Sequence, residues 1–322
     1  MNVHFGAFAK IKNFNPDTHV FATDVIDGLT HHPKKLSPKY FYDEAGSHLF
    51  EQITRLPEYY PTRVELDILR GKASEFAALI PDNAALVEFG AGATTKVRLL
   101  LESCRIGAYV PVDISGDFLN AQAKALKADF PDLPVHPVTA DFTAPFALPD
   151  QIEAMTKVGF FPGSTLGNFE PHEASCFMRL ARNTLGQGAL MLIGVDLEKD
   201  ERVLHAAYND KAGVTSQFNL NVLARINREL GGNFDLNGFA HRAIYNRDRH
   251  RIEMHLVSRK AQTARLCGKN FSFRTGESIH TESSYKYSIE RFQALARGSG
   301  WTPRKSWTDD AKMFSVHALA AE

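Results

Sequence analysis

A chain of 322 residues, 44% hydrophobic and 23% charged, can bury a large core and is a little long for one ordinary domain, so two interleaved domains are expected. Lysine plus arginine and aspartate plus glutamate balance at 37 each with no block of like charge, which argues against a polyanion such as nucleic acid as partner. No apolar run is long enough to span a bilayer and the first residues lack the basic-then-apolar layout of a signal peptide, so a cytoplasmic protein with no membrane partner is expected.

The first sixty residues carry an aromatic-rich stretch, Phe41 to Arg63, with no plain strand pattern. From Ala84 short β-rich runs alternate with helical patterns, which predicts a doubly wound parallel sheet with crossover helices. "AALVEF" reads as the first strand, "VRLLLESC" as a helix and "AYVPVDIS" as the second strand. "GDFLNAQAKALKADF" reads as a helix with Leu119, Ala123, Leu126 and Phe130 on one face. "VHPVTADF" and "KVGFFPGST" follow as strands, then a helix ended by Gly186, then the strand "GALMLIGVDL"; the apolar character of the last two strands predicts central positions.

After Asp200 the alternation stops. "TSQFNLNVLARINREL" reads as a helix with Leu223, Ile226 and Leu230 inward, and "FAHRAIYNRDRHRIEMHLVSRK" as two antiparallel strands. "SIERFQALARGSG" reads as a helix, and "RKSWTD" and "KMFSVHALAA" as two closing strands. The expected division is one domain of residues 64–200 and 288–322 with a Rossmann-like sheet, and a discontinuous α+β domain of residues 11–63 and 201–287.

"VEFGAGATTK" puts Glu88 near the end of the first strand and Gly90 and Gly92 in the turn beyond it, where open α/β sheets bind nucleotides. Such glycines also serve plain chain reversal. Asp113, ending the second strand, is placed for ribose hydroxyls, and Asp141 of "TADF" lies where an adenine edge would be. Thr95 stands where a dinucleotide fingerprint has its third glycine, and no Walker loop occurs; S-adenosylmethionine is the better candidate. The residues alone resemble a class I methyltransferase with an unidentified acceptor.

Cys104, Cys176 and Cys267 are too widely spaced for a zinc or redox motif and read as reduced, buried and structural. The adjacent His31 and His32 cannot readily converge on one ion, so no metal is expected, and "HHPKK" reads as a solvated turn. Trp301 and Trp307 read as packing residues.

Several longer segments go further. "KYFYDEAGSHLFEQITRLPEYYPTR", "GSTLGNF", "GVDLEKD", "AYNDKAGVTSQFNLNVLARINREL", "RIEMHL" and "TESSYKY" resemble, in order, the L-histidine Nα-methyltransferases of ergothioneine biosynthesis. The resemblance implies trimethylation of the histidine α-amine to hercynine; small-molecule partners and a monomer are expected. It implies that Asn168 and Tyr208 hold the substrate carboxylate and that Glu282 and Ser284 hold the imidazole. Tyr42, Phe50 and Tyr59 would line the site, with Gly163, Thr215 and Met254 as neighbours and Tyr42 a candidate base. On the cofactor side it implies Gly90, Lys96, Asp113, Asp141 and Phe142. Two other readings remain open at this point: the same chemistry on another amino acid or small amine, and a non-catalytic module that senses the cofactor.

Overall fold

The computed structural model describes residues 16–322. They fall into two compact units, one of 16–59 with Glu201–Ser283, the other of Tyr60–Asp200 with Ser284–Glu322. Residues 11–15 of the expected substrate domain lie outside the described residues. The seams at 59/60 and 283/284 fall four residues ahead of 63/64 and 287/288, because Tyr60 and Lys286 both bond to Asp196 of the larger unit.

The larger unit is built on a seven-stranded sheet. Its strands are β1 (Ala84–Phe89), β2 (Ile106–Asp113), β3 (Val138–Thr139), β4 (Lys157–Phe161), β5 (Leu190–Asp196), β6 (Thr302–Thr308) and β7 (Phe314–Ala320). In space they run β6-β7-β5-β4-β1-β2-β3. The first five pair in parallel, whereas β7 lies antiparallel to both β5 and β6. The chain steps outward from β1 to β2 and β3, then returns to β4 on the other side of β1. That reversal is the switch point at which such sheets open a crevice beyond their carboxyl ends.

Every residue of β1 and β7 is buried, as a sheet covered on both faces requires. Side chains alternate between the faces. Val87, Phe89, Met191, Ile193 and Val195 pack with Phe177 and Met178 of helix Pro171–Leu185 and with Phe292 of helix Ile289–Gly298. Leu86, Phe160, Leu192 and Val316 pack on the other face with Ile68 and Leu69 of helix Tyr60–Gly71, Val97 and Leu100 of helix Thr95–Ser103, and Leu126 of helix Gly116–Asp129. Each such Leu or Phe removed from water contributes roughly 1.5–3 kcal/mol. Helix Pro171–Leu185 starts at a capping box of Glu170 and Glu173 with proline in its first turn, and Gly186 at φ 86° ends it. Trp301 and Trp307 are buried, and their indole N–H groups donate to the Met178 carbonyl and to Glu75, both at 2.7–2.8 Å.

The expected third strand is much shorter than its sequence suggests. It keeps only Val138–Thr139 and a single bridge from Val135 to Tyr109, because Pro134 and Pro137 remove two N–H donors along an edge strand. Asp141 consequently lies two residues past the strand.

In the smaller unit a four-stranded sheet runs Lys34–Lys35, Ser278–Tyr285, Arg251–Ser258, Phe239–Asn246 in spatial order. Helix Val214–Leu230 buries Phe218, Val222, Leu223, Ile226 and Leu230. Its Asn219, fully buried, bonds to the His255 carbonyl, to Thr281 and to His241, tying the helix to three strands. A hairpin, Gln262–Leu266 with Lys269–Phe273, went unread in the sequence. Its Ala264, Leu266, Phe271 and Phe273 are buried in alternation, and its two-residue turn takes Cys267 and Gly268 to φ 47° and 77°. "HHPKK" is solvated only in part: Lys34 is buried, pairs with Ile279 in the sheet and bonds to Glu277. Of the three free cysteines only Cys104 is buried; Cys176, on the outer side of helix Pro171–Leu185, is exposed and Cys267 half-buried, which corrects the expectation for both. Among the described residues no helix is long and apolar enough to cross a membrane, and no cluster of potential metal ligands occurs.

Candidate active site

At the carboxyl ends of β1 to β3 the backbone arranges the predicted cofactor residues. The N–H groups of Gly90 and Ala91 donate to the Val112 carbonyl at 2.8 and 3.0 Å, which fastens the turn after β1 to the end of β2. Gly90 sits at φ 71°, and a Cβ on it would meet the Phe142 ring at 3.4 Å. No atom lies within 4 Å of where a Cβ on Gly92 would be, so that backbone faces open space. Phe142 packs edge-on against Phe161 and Phe177 at 5.7 and 5.8 Å, which fixes its ring beside Gly90.

The acids differ in setting. Asp113 ends β2 and accepts the Ser115 N–H at 2.8 Å; burial pushes its carboxyl above the usual range. Asp141 is exposed and accepts both the N–H and the hydroxyl of Thr143, at 2.9 and 2.5 Å. Glu88 is buried with the Tyr109 hydroxyl donating to it, and burial raises its carboxyl to about 7 against the pull of Tyr109 and Lys96. Glu88 is thus tied to Tyr109 of the neighbouring strand β2.

Lys96, in the first turn of helix Thr95–Ser103, reaches Glu65 at 2.6 Å. Glu65 is only 1% exposed, and the Gly163 N–H donates to both of its oxygens at 2.9 and 3.0 Å. A Cβ on Gly163, at φ 83°, would come within 3.2 Å of the Lys96 ammonium, and one on Gly194 within 2.1 Å of a Glu65 oxygen. A glycine inside the buried strand β5 thus makes room for a carboxylate. Sequence reasoning missed Glu65; the pairing partner of Lys96 is thirty-one residues upstream in a different helix, beyond any local pattern. Asn168 ends the short 3-10 turn Thr165–Asn168, beyond β4, and Gly167 beside it allows a close approach to the Tyr285 backbone, a Cβ there lying 2.8 Å from the Tyr285 carbonyl.

Ser284 joins a buried ionic cluster in the same unit. Lys286, fully buried, donates to the Ser284 hydroxyl at 2.7 Å and to Asp196 at 2.8 Å. Asp196 also accepts from Lys199 at 2.5 Å and from the Tyr60 hydroxyl at 2.8 and 2.9 Å. Burial pushes the Asp196 carboxyl up, but the two lysines outweigh it and hold the group below the usual carboxylate range. Lys199 is drawn down to about 8, by burial first, while Asp196 resists and Lys286 adds to the fall. The cluster was missed although its members stand in "GVDLEKD" and "TESSYKY"; the signal was an acid at a buried strand end with lysines close by in both motifs.

In the smaller unit the rings form a continuous set. Tyr42 meets Phe50 at 5.7 Å, Phe50 meets Tyr59 at 6.3 Å, and Tyr59 meets Tyr208 at 6.3 Å. Phe218, which sequence reasoning read only as part of a helix, joins Tyr42 and Phe50 at 5.7 and 5.9 Å. Asp43 caps helix Glu44–Thr54 through the Gly46 N–H and bonds to Asn221 and Arg228, so the backbone beside Tyr42 is pinned. The Tyr208 carbonyl accepts from His241 Nε2 at 2.8 Å, while His241 Nδ1 lies 2.8 Å from the Asn219 amide. A carbonyl only accepts, so the proton is on Nε2 and Nδ1 takes the amide N–H; burial also lowers the His241 pKa, favouring that neutral ring. Thr215 opens helix Val214–Leu230, where Asp210 accepts its N–H at 2.8 Å. Met254 and Glu282, both buried, are carried by the sheet, and the Met254 carbonyl accepts from Thr281 at 3.0 Å.

One unit therefore brings Gly90, Gly92, Asp113 and Asp141 to the carboxyl ends of its strands; the other offers hydroxyl-tipped rings and a buried carboxylate, Glu282. Among characterised proteins, a histidine Nα-methyltransferase of Mycolicibacterium smegmatis is 41% identical over 91% of this chain and 92% of its own length. That of Mycobacterium tuberculosis is 39% identical over 93% and 94%. Ergothioneine biosynthesis protein 1 of Neurospora crassa is 30% identical over 89% of this chain, which spans 33% of that longer protein. The family described as histidine-specific, S-adenosylmethionine-dependent methyltransferases matches residues 21–321, and the chain belongs to it.

Proposed function

We propose that this protein transfers methyl groups from S-adenosylmethionine to the α-amino group of L-histidine, three times, giving hercynine for ergothioneine biosynthesis. The observation that carries the reading is the reach of the family match, which runs through both units; likeness to methyltransferases in general would be expected in the larger unit alone.

The residues present fit the cofactor. Gly90 at positive φ and the open face of Gly92 let a ligand approach the backbone closely, Asp113 accepts from ribose hydroxyls, and Asp141 accepts from an adenine amine. Phe142 gives an apolar face beside the turn. Bound S-adenosylmethionine supplies a methyl carbon made electrophilic by its sulfonium. What the protein adds is the placement of a neutral amine in line with that carbon.

Asn168 and Tyr208 donate hydrogen bonds to the histidine carboxylate without bringing a cation near the sulfonium. Glu282 and Ser284 stand two apart on the strand Ser278–Tyr285 and so share a face, which suits the two nitrogens of one imidazole. The α-amine of free histidine is mostly protonated at neutral pH. Its proton passes to water, directly or through the Tyr42 hydroxyl, which takes the amine proton as it gives its own to solvent. Tyr42, Phe50 and Tyr59 present ring faces that tolerate growing bulk and attract the quaternary ammonium of the product. The chain acts as a cytoplasmic monomer on small molecules; three free cysteines suit a reducing compartment.

Incubation of the purified protein with S-adenosylmethionine and each amino acid in turn, followed by mass spectrometry, tests the reading. Three methyl groups gained by histidine alone are expected. Methylation of another amino acid in preference would establish a different acceptor, and cofactor binding without any product would leave only a sensing module.

A further inference from the structure

Tyr208 ends helix Glu201–Tyr208, Asn209 and Asp210 follow it, and each of the three is fastened within the smaller unit. The Asn209 side-chain amide accepts the Ala243 N–H and donates to the Ala243 carbonyl, both at 3.1 Å. Asp210 accepts the N–H groups of Val214 and Thr215 at 2.9 and 2.8 Å, which opens the next helix. The Tyr208 carbonyl stands at a helix end, where no N–H of the helix reaches it, and takes its bond from His241 Nε2 at 2.8 Å.

His241 belongs to a row of bonds whose senses are all fixed. A backbone carbonyl only accepts, so the Asn219 atom 3.1 Å from the His255 carbonyl is the amide nitrogen, and the amide oxygen faces the Thr281 hydroxyl at 2.7 Å. Asn219 and Thr281 have next to no exposed surface, so water does not stand in for these bonds. The second amide N–H points at His241 Nδ1, 2.8 Å away, and the single lone pair of that nitrogen is spent on it. A proton on Nδ1 would face that N–H, and the amide cannot turn over without setting its oxygen against the His255 carbonyl. Around the ring, burial lowers the pKa, the Tyr208 carbonyl and the Asp210 carboxylate raise it, and His255 lowers it again; the net lies below the ordinary value.

We infer that His241 is a positioning residue: held as the neutral ring by Asn219, it clamps the backbone of Tyr208 through an uncharged donor and so sets where the Tyr208 hydroxyl meets the carboxylate of the substrate. The inference rests on the histidine reading above, which gives Tyr208 that role. An apolar side chain would fill the space of the ring but serve neither neighbour. A lysine or arginine would cap the Tyr208 carbonyl, yet neither accepts from Asn219, and a cation beside Tyr208 would draw the substrate carboxylate away from the hydroxyl. The clamp acts on the backbone alone. The Tyr208 ring keeps its edge-on contact with Tyr59 at 6.3 Å.

Calorimetry on the full chain saturated with S-adenosylhomocysteine, which permits binding without turnover, tests the clamp. His241→Leu is expected to weaken histidine binding about fivefold or more, through the hydrogen bond lost at Tyr208, with S-adenosylhomocysteine binding changed less than about twofold. His241→Gln, which carries one donor and one acceptor, is expected to restore most of the loss. In a Tyr208→Phe background, His241→Leu is expected to cost little further, because its effect passes through that hydroxyl. Equal losses with and without the Tyr208 hydroxyl, or equal losses for both ligands, make His241 a structural residue only and overturn the inference. Should His241→Leu not fold, nitrogen magnetic resonance on the unmodified protein with ring-15N histidine residues decides: the His241 signals, assigned by their absence from His241→Gln, are expected to show a bare Nδ1 and a protonated Nε2 at neutral pH, and a proton on Nδ1 overturns the inference. Failure of histidine to bind the unmodified protein would instead remove the functional reading, and with it the role given to Tyr208.

Discussion

The larger unit fixes its candidate residues with backbone and charge, the smaller unit with rings. Asp113 is held by an N–H, Glu65 by an N–H and an ammonium, and Ser284 by a lysine that a second acid anchors. Tyr42, Phe50, Tyr59 and Tyr208 are instead spaced by edge-on ring contacts of 5.7–6.3 Å. Hydrogen bonds and ion pairs define one geometry, suited to a ligand that arrives unchanged each time. Ring contacts are short-ranged, weakly directional and apolar, and suit a ligand whose amine gains bulk and a fixed positive charge over successive rounds.

The most severe way to break this comparison is at Asp196. Replacing it with alanine leaves Lys199 and Lys286 buried without their shared counter-ion, and removing one partner from a buried pair typically costs about 3–5 kcal/mol. Urea unfolding is expected to show that loss with an unchanged slope; a loss under about 1 kcal/mol would mean that water reaches the cluster. Glu88 sharpens the contrast through pH. Its folded carboxyl is raised from 4.5 to about 7, so the native state holds a proton that the unfolded chain has released. Its contribution is full below about 4.5 and is lost as pH rises to about 7, at up to roughly 1.4 kcal/mol per pH unit. The Glu88→Gln variant is expected to lack this decline, and identical stability profiles from pH 4.5 to 7 in the two proteins would show that the carboxyl is not raised.

How far the sequence foretells each unit follows the same division. The sheet of the larger unit was legible because its strands are short apolar runs, the first two ended by Gly90 and Asp113, and its helices keep one face apolar, that of Pro171–Leu185 being stopped by Gly186. Only β3 misled, since a β-rich composition outweighed two prolines in the reading. The hairpin at Gln262–Phe273 was legible in principle, with alternating Ala264, Leu266, Phe271 and Phe273 about a Cys-Gly turn. Site residues gathered by long-range packing were not legible from local pattern. Glu65 finds Lys96 and Gly163 across the fold, and Phe218 differs from its helix neighbours only by what it touches. The candidate substrate residues came from whole segments resembling a family, because nothing in "TESS" by itself announces an imidazole.

At the candidate substrate residues, Glu282→Ala is expected to lower kcat/KM for histidine about 100-fold while cofactor binding stays within twofold, since a polar contact built for one substrate is worth far more than an apolar fit. Unchanged kcat/KM would take Glu282 out of the reaction. Asp113→Ala should act in the opposite sense, weakening S-adenosylmethionine about tenfold in calorimetry through one lost charged hydrogen bond and leaving the affinity for histidine little altered. An equal effect of either variant on both ligands would remove the separate roles given to Glu282 and Asp113.

The smallest effect is the most informative about the rings. Phe50 contacts Tyr42, Tyr59 and Phe218, so Phe50→Leu keeps apolar bulk while removing the face shared by three aromatic pairs. Packing alone predicts a stability loss of about 0.5–1.5 kcal/mol. A ring that also attracts the forming quaternary ammonium adds a second effect of about 0.5–1 kcal/mol on the charged product, which is roughly two- to fivefold. That effect falls mainly on the last transfer, so single-turnover reactions should accumulate dimethylhistidine while the first methylation keeps its rate. If all three transfers slow together, or none does while stability still drops, the ring is packing only, and the weak directionality of the smaller unit has no bearing on how its ligand changes.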